Sequence, residues 1–438
     1  MPLSDTISAE RTMPRRVIKK RGTTRERTGC LTSRQRCDLG YPVCKDCVRL
    51  NYIYKWEDPR PIAYDDESKA PILSLFLPMA MHSTPLLTRL IAWSSSHLSL
   101  RDHSFDQVAM QNRCTALRDL RVTLESDPSN VEANLAMTLV LCSIESIMAD
   151  NGDAWYLHLV GAAGVISSQL AVEDGSNVSS VDRILQKFED AHAGRWLLRN
   201  FAYRDIMMAV ARDRAPLLES HQFLRLDETQ MPDSHFGLAS EILEILFHTA
   251  TLNQEVKASN EPASLDCDND DGIASVNTVG SAQGPEFLER LLSLETRLKD
   301  WTCPPSPDPS LRQLAESYRS SALIYLYRVM RRAFPMQRDE LSSKATTQVA
   351  SVVDSISQIP TRSLPECTLL FPLFLAGGEA TAESHMESIR HRMLDIIESR
   401  GFRNKRWRLR IARRTTMESV RVDWLDIVRK NDIELSLT

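Results

Sequence analysis

Apolar residues recur at helical spacing through most of the 438-residue chain, from about residue 84 to residue 399. A clear example follows the helix-start signal Asp127-Pro128-Ser129 and consists of Val131, Leu135, Leu139 and Cys142. Intervals of three and four residues place side chains on one face of an α-helix. The alternation of apolar and polar residues that is typical of strands is scarce. The pattern therefore predicts a mainly all-α protein.

The same periodicity predicts six further helices, at 181–188, 241–252, 287–301, 311–334, 345–359 and 384–399. Near 257–286 the composition turns to Asn, Ser, Asp and Gly with few large apolar residues, which predicts a disordered surface loop. Prolines and acidic residues mark 58–80, so we expect a linker there. The helical domain is expected to extend over residues 81–438.

The composition excludes several classes of protein. With 42% apolar and 25% charged residues, the chain falls in the ordinary globular range and is neither wholly disordered nor fibrous. The apolar stretch 135–149 is shorter than the roughly 20 residues of a membrane span and contains Glu145. No secretory signal is evident, so we expect no membrane partner and a reducing compartment. Cys114, Cys142 and Cys367 lie among apolar residues and are expected to be core thiols.

Charge is divided unevenly along the chain. Residues 1–60 contain 14 Lys or Arg against 7 Asp or Glu, a net charge of +7. The remaining 378 residues contain 39 against 51, a net charge of −12. A basic segment of this kind suits contact with a polyanion, and its run of Lys and Arg between residues 15 and 27 also suits a nuclear import signal. We expect residues 1–28 to form a basic, disordered arm.

Four of the nine cysteines lie within 18 residues: Cys30, Cys37, Cys44 and Cys47. In a reduced chain such a cluster points to a metal site before disulfides. The segment 29–57 resembles the fungal binuclear zinc cluster, with Gly29, Thr32, Cys37-Asp38, Pro42 and the turn Cys44-Lys45-Asp46-Cys47 in place. The resemblance implies a zinc-dependent module that reads CGG-type sites of double-stranded DNA through a helix end in the major groove.

The segment departs from the family pattern at two of the six ligand positions, where Ser33 and Tyr54 stand in place of cysteines. Only residues 34–36 separate Ser33 from the next cysteine where the family has six residues, so nearly one helical turn of the DNA-reading segment is absent. Three alternatives stay open: one tetrahedral zinc ion held by Cys30, Cys37, Cys44 and Cys47, partial loading of a two-zinc site, or no stable metal. One zinc ion is favoured over two.

Five basic side chains around the cluster are candidates for DNA contact: Arg27, Arg34, Arg36, Lys45 and Arg49. Arg34 and Arg36 could approach guanine edges or phosphates, and the others are expected to contact phosphates. Because the reading segment is shortened, phosphate contact is favoured over base readout. This predicts salt-sensitive binding with weak sequence discrimination.

The body of the chain, from about residue 80 to residue 438, resembles the fungal-specific regulatory domain that commonly follows such clusters. Four stretches carry the resemblance, in family order: Ser95-Ser96-His97-Leu98, 155–166, Tyr325-Leu326-Tyr327-Arg328 and 372–380. The resemblance implies a helical domain that regulates the DNA-binding head and contacts the transcription machinery.

Together the two resemblances imply a nuclear transcription regulator of RNA polymerase II genes, whose head binds promoter DNA. A phosphate-binding loop, a nucleophile elbow and a zinc-protease pair are not found in their required context, so we expect no enzymatic activity. No heptad run follows the cluster, and dimerisation through a coiled coil is therefore not supported. The alternative function is that of a paralogue without DNA binding, which regulates another transcription factor by protein interaction.

Overall fold

The computed structural model of the chain describes residues 76–126, 130–148, 153–170, 180–188, 191–225, 232–260, 284–363 and 365–400. Within these ranges the chain forms thirteen α-helices and no β-strand, and one isolated bridge joins Asp233 to Gly237. The helices are α1 (Leu77–His82), α2 (Thr84–Arg101), α3 (Asp106–Ser126), α4 (Val131–Met148), α5 (Ala154–Leu170), α6 (Ser180–Leu185), α7 (Ala191–Arg212), α8 (Ser240–Asn260), α9 (Pro285–Asp300), α10 (Pro309–Ala333), α11 (Arg338–Ser357), α12 (Leu370–Glu379) and α13 (Glu383–Arg400). The prediction of an all-α body is confirmed.

Local sequence signals explain where several helices begin. Prolines lie in the first turns of α1, α2, α9 and α10, where the missing backbone N–H would have had no partner within the helix. The side chains of Ser83, Asn130 and Asp308 accept hydrogen bonds from backbone N–H groups two or three residues later. α4 begins directly after the predicted start signal at 127–129, although the side chain that caps it belongs to Asn130.

Each of the six other predicted helices overlaps an observed one, namely α6, α8, α9, α10, α11 and α13. The predicted and observed boundaries differ where the prediction depended on composition alone. α8 continues to Asn260, into the stretch expected to be a loop, and α1 overlaps the end of the expected linker. The last turns of α8 have a partner elsewhere in the fold, because the Nζ of Lys257 donates to the backbone carbonyl of Asp213 at 2.8 Å.

Two helices form the centre of the hydrophobic core. In α4, 14 of 18 residues are buried, and in α10, 16 of 25. α4 packs against α2, α3, α5 and α7, whereas α10 packs against α8, α9, α11 and α12. A helix that is apolar around most of its circumference has to lie inside a protein or a membrane. Among the described residues α4 is long and apolar enough to cross a membrane, and 78% of it is buried inside the structure.

The expectation of core thiols is confirmed for Cys142 and wrong for Cys114, which is exposed on α3. α3 packs through Ala109 and Ala116, which are two turns apart, and Cys114 lies off that line. Apolar neighbours are also exposed on α3, with Met110 at 66% and Val122 at 53%. Local apolarity was therefore a poor indicator of burial in this helix. The side chain of Cys367 lies outside the described part of the chain.

Candidate functional site

All nine residues predicted to bind zinc or DNA lie outside the residues that the structure describes. They are Cys30, Cys37, Cys44 and Cys47 for the metal, and Arg27, Arg34, Arg36, Lys45 and Arg49 for DNA. Within the described ranges no group of three or more His, Cys, Asp or Glu side chains is arranged to hold a metal ion. The described helices contain instead a set of buried polar junctions that join distant helices.

The first junction is centred on Asp213, directly after the end of α7. One oxygen of its fully buried carboxylate accepts hydrogen bonds from Asn253 Nδ2 of α8 and from Arg332 Nη1 of α10, both at 2.7 Å. Arg332 Nη1 also donates to Asn253 Oδ1 at 2.8 Å. Lys257 Nζ lies 3.7 Å from the second carboxylate oxygen. One carboxylate therefore holds three helices at a single point.

The electrostatics of Asp213 favour its ionised form. Burial opposes ionisation, but Arg332, Asn253 and Lys257 together outweigh burial and hold the pKa of this carboxyl below its usual range. The residue has a φ of +54°, in the left-handed region that non-glycine residues rarely adopt. This backbone turn directs the carbonyl of Asp213 to Lys257 and to Gln254 Nε2, at 2.8 and 3.2 Å. The surrounding helices thus stabilise an unfavourable backbone conformation.

A second junction joins α10, α11 and α12 through Glu379. Its Oε1 lies 2.5 Å from Arg331 Nη2 and 3.4 Å from Arg328 Nε. Arg331 Nη1 also donates to Ser342 Oγ at 3.1 Å. Arg328 and Glu379 belong to the two later stretches that carry the family resemblance in the sequence. The structure therefore brings these stretches into direct contact.

A third polar contact lies where the chain turns after α7. Asp205 is fully buried and accepts hydrogen bonds from the backbone N–H groups of Leu217 and Leu218, at 2.7 and 3.3 Å. Burial raises the pKa of this carboxyl to about 6, and the hydrogen bonds only partly oppose that rise. Asp205 and Asp213, eight residues apart in the sequence, thus have pKa values shifted in opposite directions.

His235 lies between two aromatic rings, with ring-centre distances of 5.7 Å to both Trp196 and Tyr203. Burial lowers its pKa to about 4, opposed by Asp233 and assisted by Arg204 and Arg199. Its Nε2 atom is buried without a hydrogen-bond partner. A neutral, packed imidazole of this kind serves structure at neutral pH.

The chemistry of these junctions is that of ion pairs and hydrogen bonds. The buried carboxylates of Asp213 and Asp205 and the partly buried carboxylate of Glu379 are matched by guanidinium, ammonium, amide or backbone N–H donors. The arrangement can hold helices in register and couple their positions. An open groove lies at the surface beside Trp301. Arg297, which lines this groove, forms ion pairs with Glu241 and Glu244.

Sequence reasoning did not identify Asp213, Asn253 or Arg332. Arg332 is separated from Asp213 by 119 positions, so no local spacing indicates the contact. Asp adopts the left-handed conformation much less often than Gly, so the presence of Asp213 gives only a weak signal of it. The available signal was the family-like stretch at Tyr325-Leu326-Tyr327-Arg328, which lies one to two turns before Arg332 on α10.

Comparison with known proteins gives a consistent result. The family model of the fungal specific transcription factor domain matches residues 61–438, well over half of the chain. Transcriptional activator protein UGA3 of Saccharomyces cerevisiae is 26% identical over 184 residues, which cover 37% of this chain and 34% of the relative. The match thus spans about a third of that relative's length. No solved structure matches the chain. Both descriptions are of transcription factors, so the prediction of a protein without enzymatic activity is confirmed.

Proposed function

Since the chain belongs to the fungal specific transcription factor domain family, we propose that this transcription regulator binds promoter DNA of RNA polymerase II genes through its N-terminal segment, in the nucleus. The observation that carries the proposal is the order of the parts. The matched domain begins at residue 61, directly after a cysteine cluster at 29–57 and a basic arm at 1–28. A basic head ahead of an acidic body suits contact with a polyanion.

The metal component of the proposal is one zinc ion held by Cys30, Cys37, Cys44 and Cys47. Four thiolates complete a closed tetrahedral structural site without a contribution from Ser33 or Tyr54. Metal binding would supply the folding free energy that a segment of this length lacks. With the reading segment shortened by three residues, Arg27, Arg34, Arg36, Lys45 and Arg49 act mainly on phosphates.

The helical domain supports the other half of the proposal, the control of output. Its polar junctions at Asp213 and Glu379 join α7, α8, α10, α11 and α12, so a partner that displaces one of these helices acts on all of them. Contacts with the transcription machinery are proposed for this domain, and the similarity to a transcriptional activator makes activation the output to measure first.

The proposal is tested with the full chain in a DNA-binding titration followed by fluorescence anisotropy. A CGG-containing duplex and a scrambled duplex are compared across a salt series, with and without a zinc chelator. We expect a modest, chelator-sensitive preference for the CGG duplex and a steep loss of affinity as salt rises. Metal analysis is expected to give about one zinc ion per chain.

The critical variant is Cys44→Ser, because three remaining thiolates do not form a closed site. We expect it to lose bound zinc and the CGG preference. The matched control is Cys114→Ser, which alters an exposed thiol on α3 and is expected to keep both. Equal binding of both duplexes that is insensitive to the chelator would refute the zinc-dependent head.

The departures at Ser33 and Tyr54 favour a second candidate function, in which the head no longer reads DNA. The helical body then regulates another transcription factor by direct interaction. In this case a reporter fused to a CGG-containing promoter would be unaffected by Cys44→Ser, while deletion of the helical domain would still change output.

A further inference from the structure

Arg89 of α2 is a fully buried guanidinium with one unsatisfied edge. Its Nη1 donates to the backbone carbonyl of Pro85 at 2.5 Å. Its Nε and Nη2 are buried and have no hydrogen-bond partner. A buried charge is costly unless it is paired and hydrogen-bonded, so proteins normally give such a group an acceptor. Arg89 therefore has two donor nitrogens that no group of the fold explains.

The other buried arginines of the described ranges have side-chain acceptors. Arg199 and Arg328 each form an ion pair with a carboxylate, and Arg204 donates to an amide oxygen and a hydroxyl. Burial lowers the pKa of Arg89 to about 10, and the charge of Asp119 on α3 only partly opposes this. At neutral pH the guanidinium thus stays charged, and no carboxylate is hydrogen-bonded to its Nε or Nη2.

The two unpartnered nitrogens of Arg89 define the chemistry of a ligand. Nε and Nη2 lie on the same edge of the planar guanidinium, and their N–H bonds are parallel. This edge matches the two oxygens of one carboxylate, which accept both hydrogen bonds at once. The bond from Nη1 to the carbonyl of Pro85 holds the opposite side of the plane. The edge is thus oriented before a ligand arrives.

Trp93 supplies a third donor on the same face of α2. It follows Arg89 by four residues, which places the two side chains next to each other on the helix. The indole Nε1 of Trp93 is buried and also has no hydrogen-bond partner. The ring as a whole is only partly buried, so the route from solvent to Arg89 passes Trp93. The apolar side chains of Leu86 and Leu90 lie on the neighbouring turns and are buried.

Charge and burial favour a small monoanion over other acceptors. A phosphate dianion calls for a second cation, whereas the other charge that acts on Arg89 is the negative charge of Asp119. The side chain of a partner protein would have to reach a guanidinium that has no exposed surface. Buried leucines beside the edge suit a short apolar body on the ligand.

We propose that α2 carries a binding site for a small monocarboxylate. Nε and Nη2 of Arg89 hold the two carboxylate oxygens, and Nε1 of Trp93 donates to one of them. Because α2 packs against α3 and α4, the bound anion neutralises a charge inside this helix packing and stabilises the helical domain.

The test is thermal unfolding of the full chain in the presence of sodium butyrate, with sodium chloride added to keep the ionic strength constant. We expect saturating butyrate to raise the midpoint of unfolding by about 2 °C. Butyramide is the matched ligand control, because it has nearly the same shape but no charge and only one carbonyl oxygen. It should leave the midpoint unchanged.

Two variants separate binding from folding. Arg89→Met removes the guanidinium and is expected to abolish the butyrate shift without lowering the midpoint in chloride, because an unpaired buried charge is replaced by an apolar chain. Trp93→Phe keeps an aromatic ring but removes the N–H donor, and should weaken butyrate binding about tenfold. The control Arg118→Met changes an exposed arginine of α3 and should keep the full shift.

Three results would overturn the proposed site. The first is a wild-type midpoint that butyrate does not raise above the value in chloride. The second is an equal shift by butyramide, and the third is a butyrate shift that persists in Arg89→Met. An unliganded Arg89→Met chain that is strongly destabilised would likewise show that the guanidinium serves the packing of α2 alone. All these outcomes concern the helical domain and are independent of DNA binding by the head.

Discussion

At the scale of single residues, Asp213 shows how charge and backbone conformation depend on each other. Its left-handed φ is unfavourable for a residue with a side chain, and its carboxylate is removed from water. Both costs are offset by donors from α8 and α10 that converge on it. Without the carboxylate, Arg332 and Lys257 would face each other with no negative charge between them.

We therefore expect Asp213→Asn to destabilise the helical domain by about 3 kcal/mol, because it breaks a buried ion pair while keeping the side chain's size. The measurement is chemical unfolding of the full chain followed by circular dichroism. Asp354→Asn on the exposed side of α11 is the control and should change stability by less than about 0.5 kcal/mol. A loss for Asp213→Asn as small as that of the control would contradict the role assigned to this junction.

At the scale of helices, burial decides what each position tolerates. α4 and α10 are enclosed on most sides, whereas α3 buries only Ala109 and Ala116. Two helical glycines have different surroundings. Gly194 permits the close approach of Phe188 to α7, and Gly164 faces open space on α5.

Replacing Gly194 or Gly164 by alanine should change the free energy of unfolding in opposite directions. We expect Gly194→Ala to destabilise the fold by about 1–3 kcal/mol, because the new methyl group overlaps the Phe188 ring. Gly164→Ala should stabilise the isolated chain by up to about 1 kcal/mol through helix propensity. Thermal unfolding at low protein concentration distinguishes the two. Equal effects of the two changes would show that the packing around Phe188 has been misassigned.

At the scale of the whole molecule, buried titratable groups make stability depend on pH. The pKa of His235 is lowered to about 4, below its ordinary value of 6.5. As the pH falls from 6.5 to about 4, His235 becomes protonated in the unfolded chain but stays neutral in the folded chain. The free energy of unfolding therefore decreases over this range. Asp205, with its pKa raised to about 6, acts in the opposite direction, because stability falls as the pH rises from its unfolded value to about 6.

His235→Phe retains the ring between Trp196 and Tyr203 but removes the titration. We expect it to reduce the loss of unfolding free energy between pH 6.5 and pH 4 by roughly 2 kcal/mol. Stability at pH 7 should change little, since the buried Nε2 has no hydrogen-bond partner to lose. His391→Phe on the exposed surface of α13 is the control. A pH profile identical to that of the wild type would exclude His235 as the source.

The periodicity of apolar residues by itself determined that the body is all-α and where most helices lie, because a helix face repeats every three to four residues within one stretch of chain. The sequence also determined that a cysteine-rich basic segment precedes the helical body. That this segment binds zinc and DNA stays a prediction.

Only the tertiary structure decided which helices meet and which polar residues hold them. Cys114 resembled a core residue in sequence, but the packing of α3 through two alanines leaves it exposed. Asp213, which follows α7, forms one junction with Asn253 of α8 and Arg332 of α10, although the three residues are far apart in the sequence. Their partnership depends on the crossing of these helices in space, and the crossing is set by packing over the whole core rather than by any local spacing.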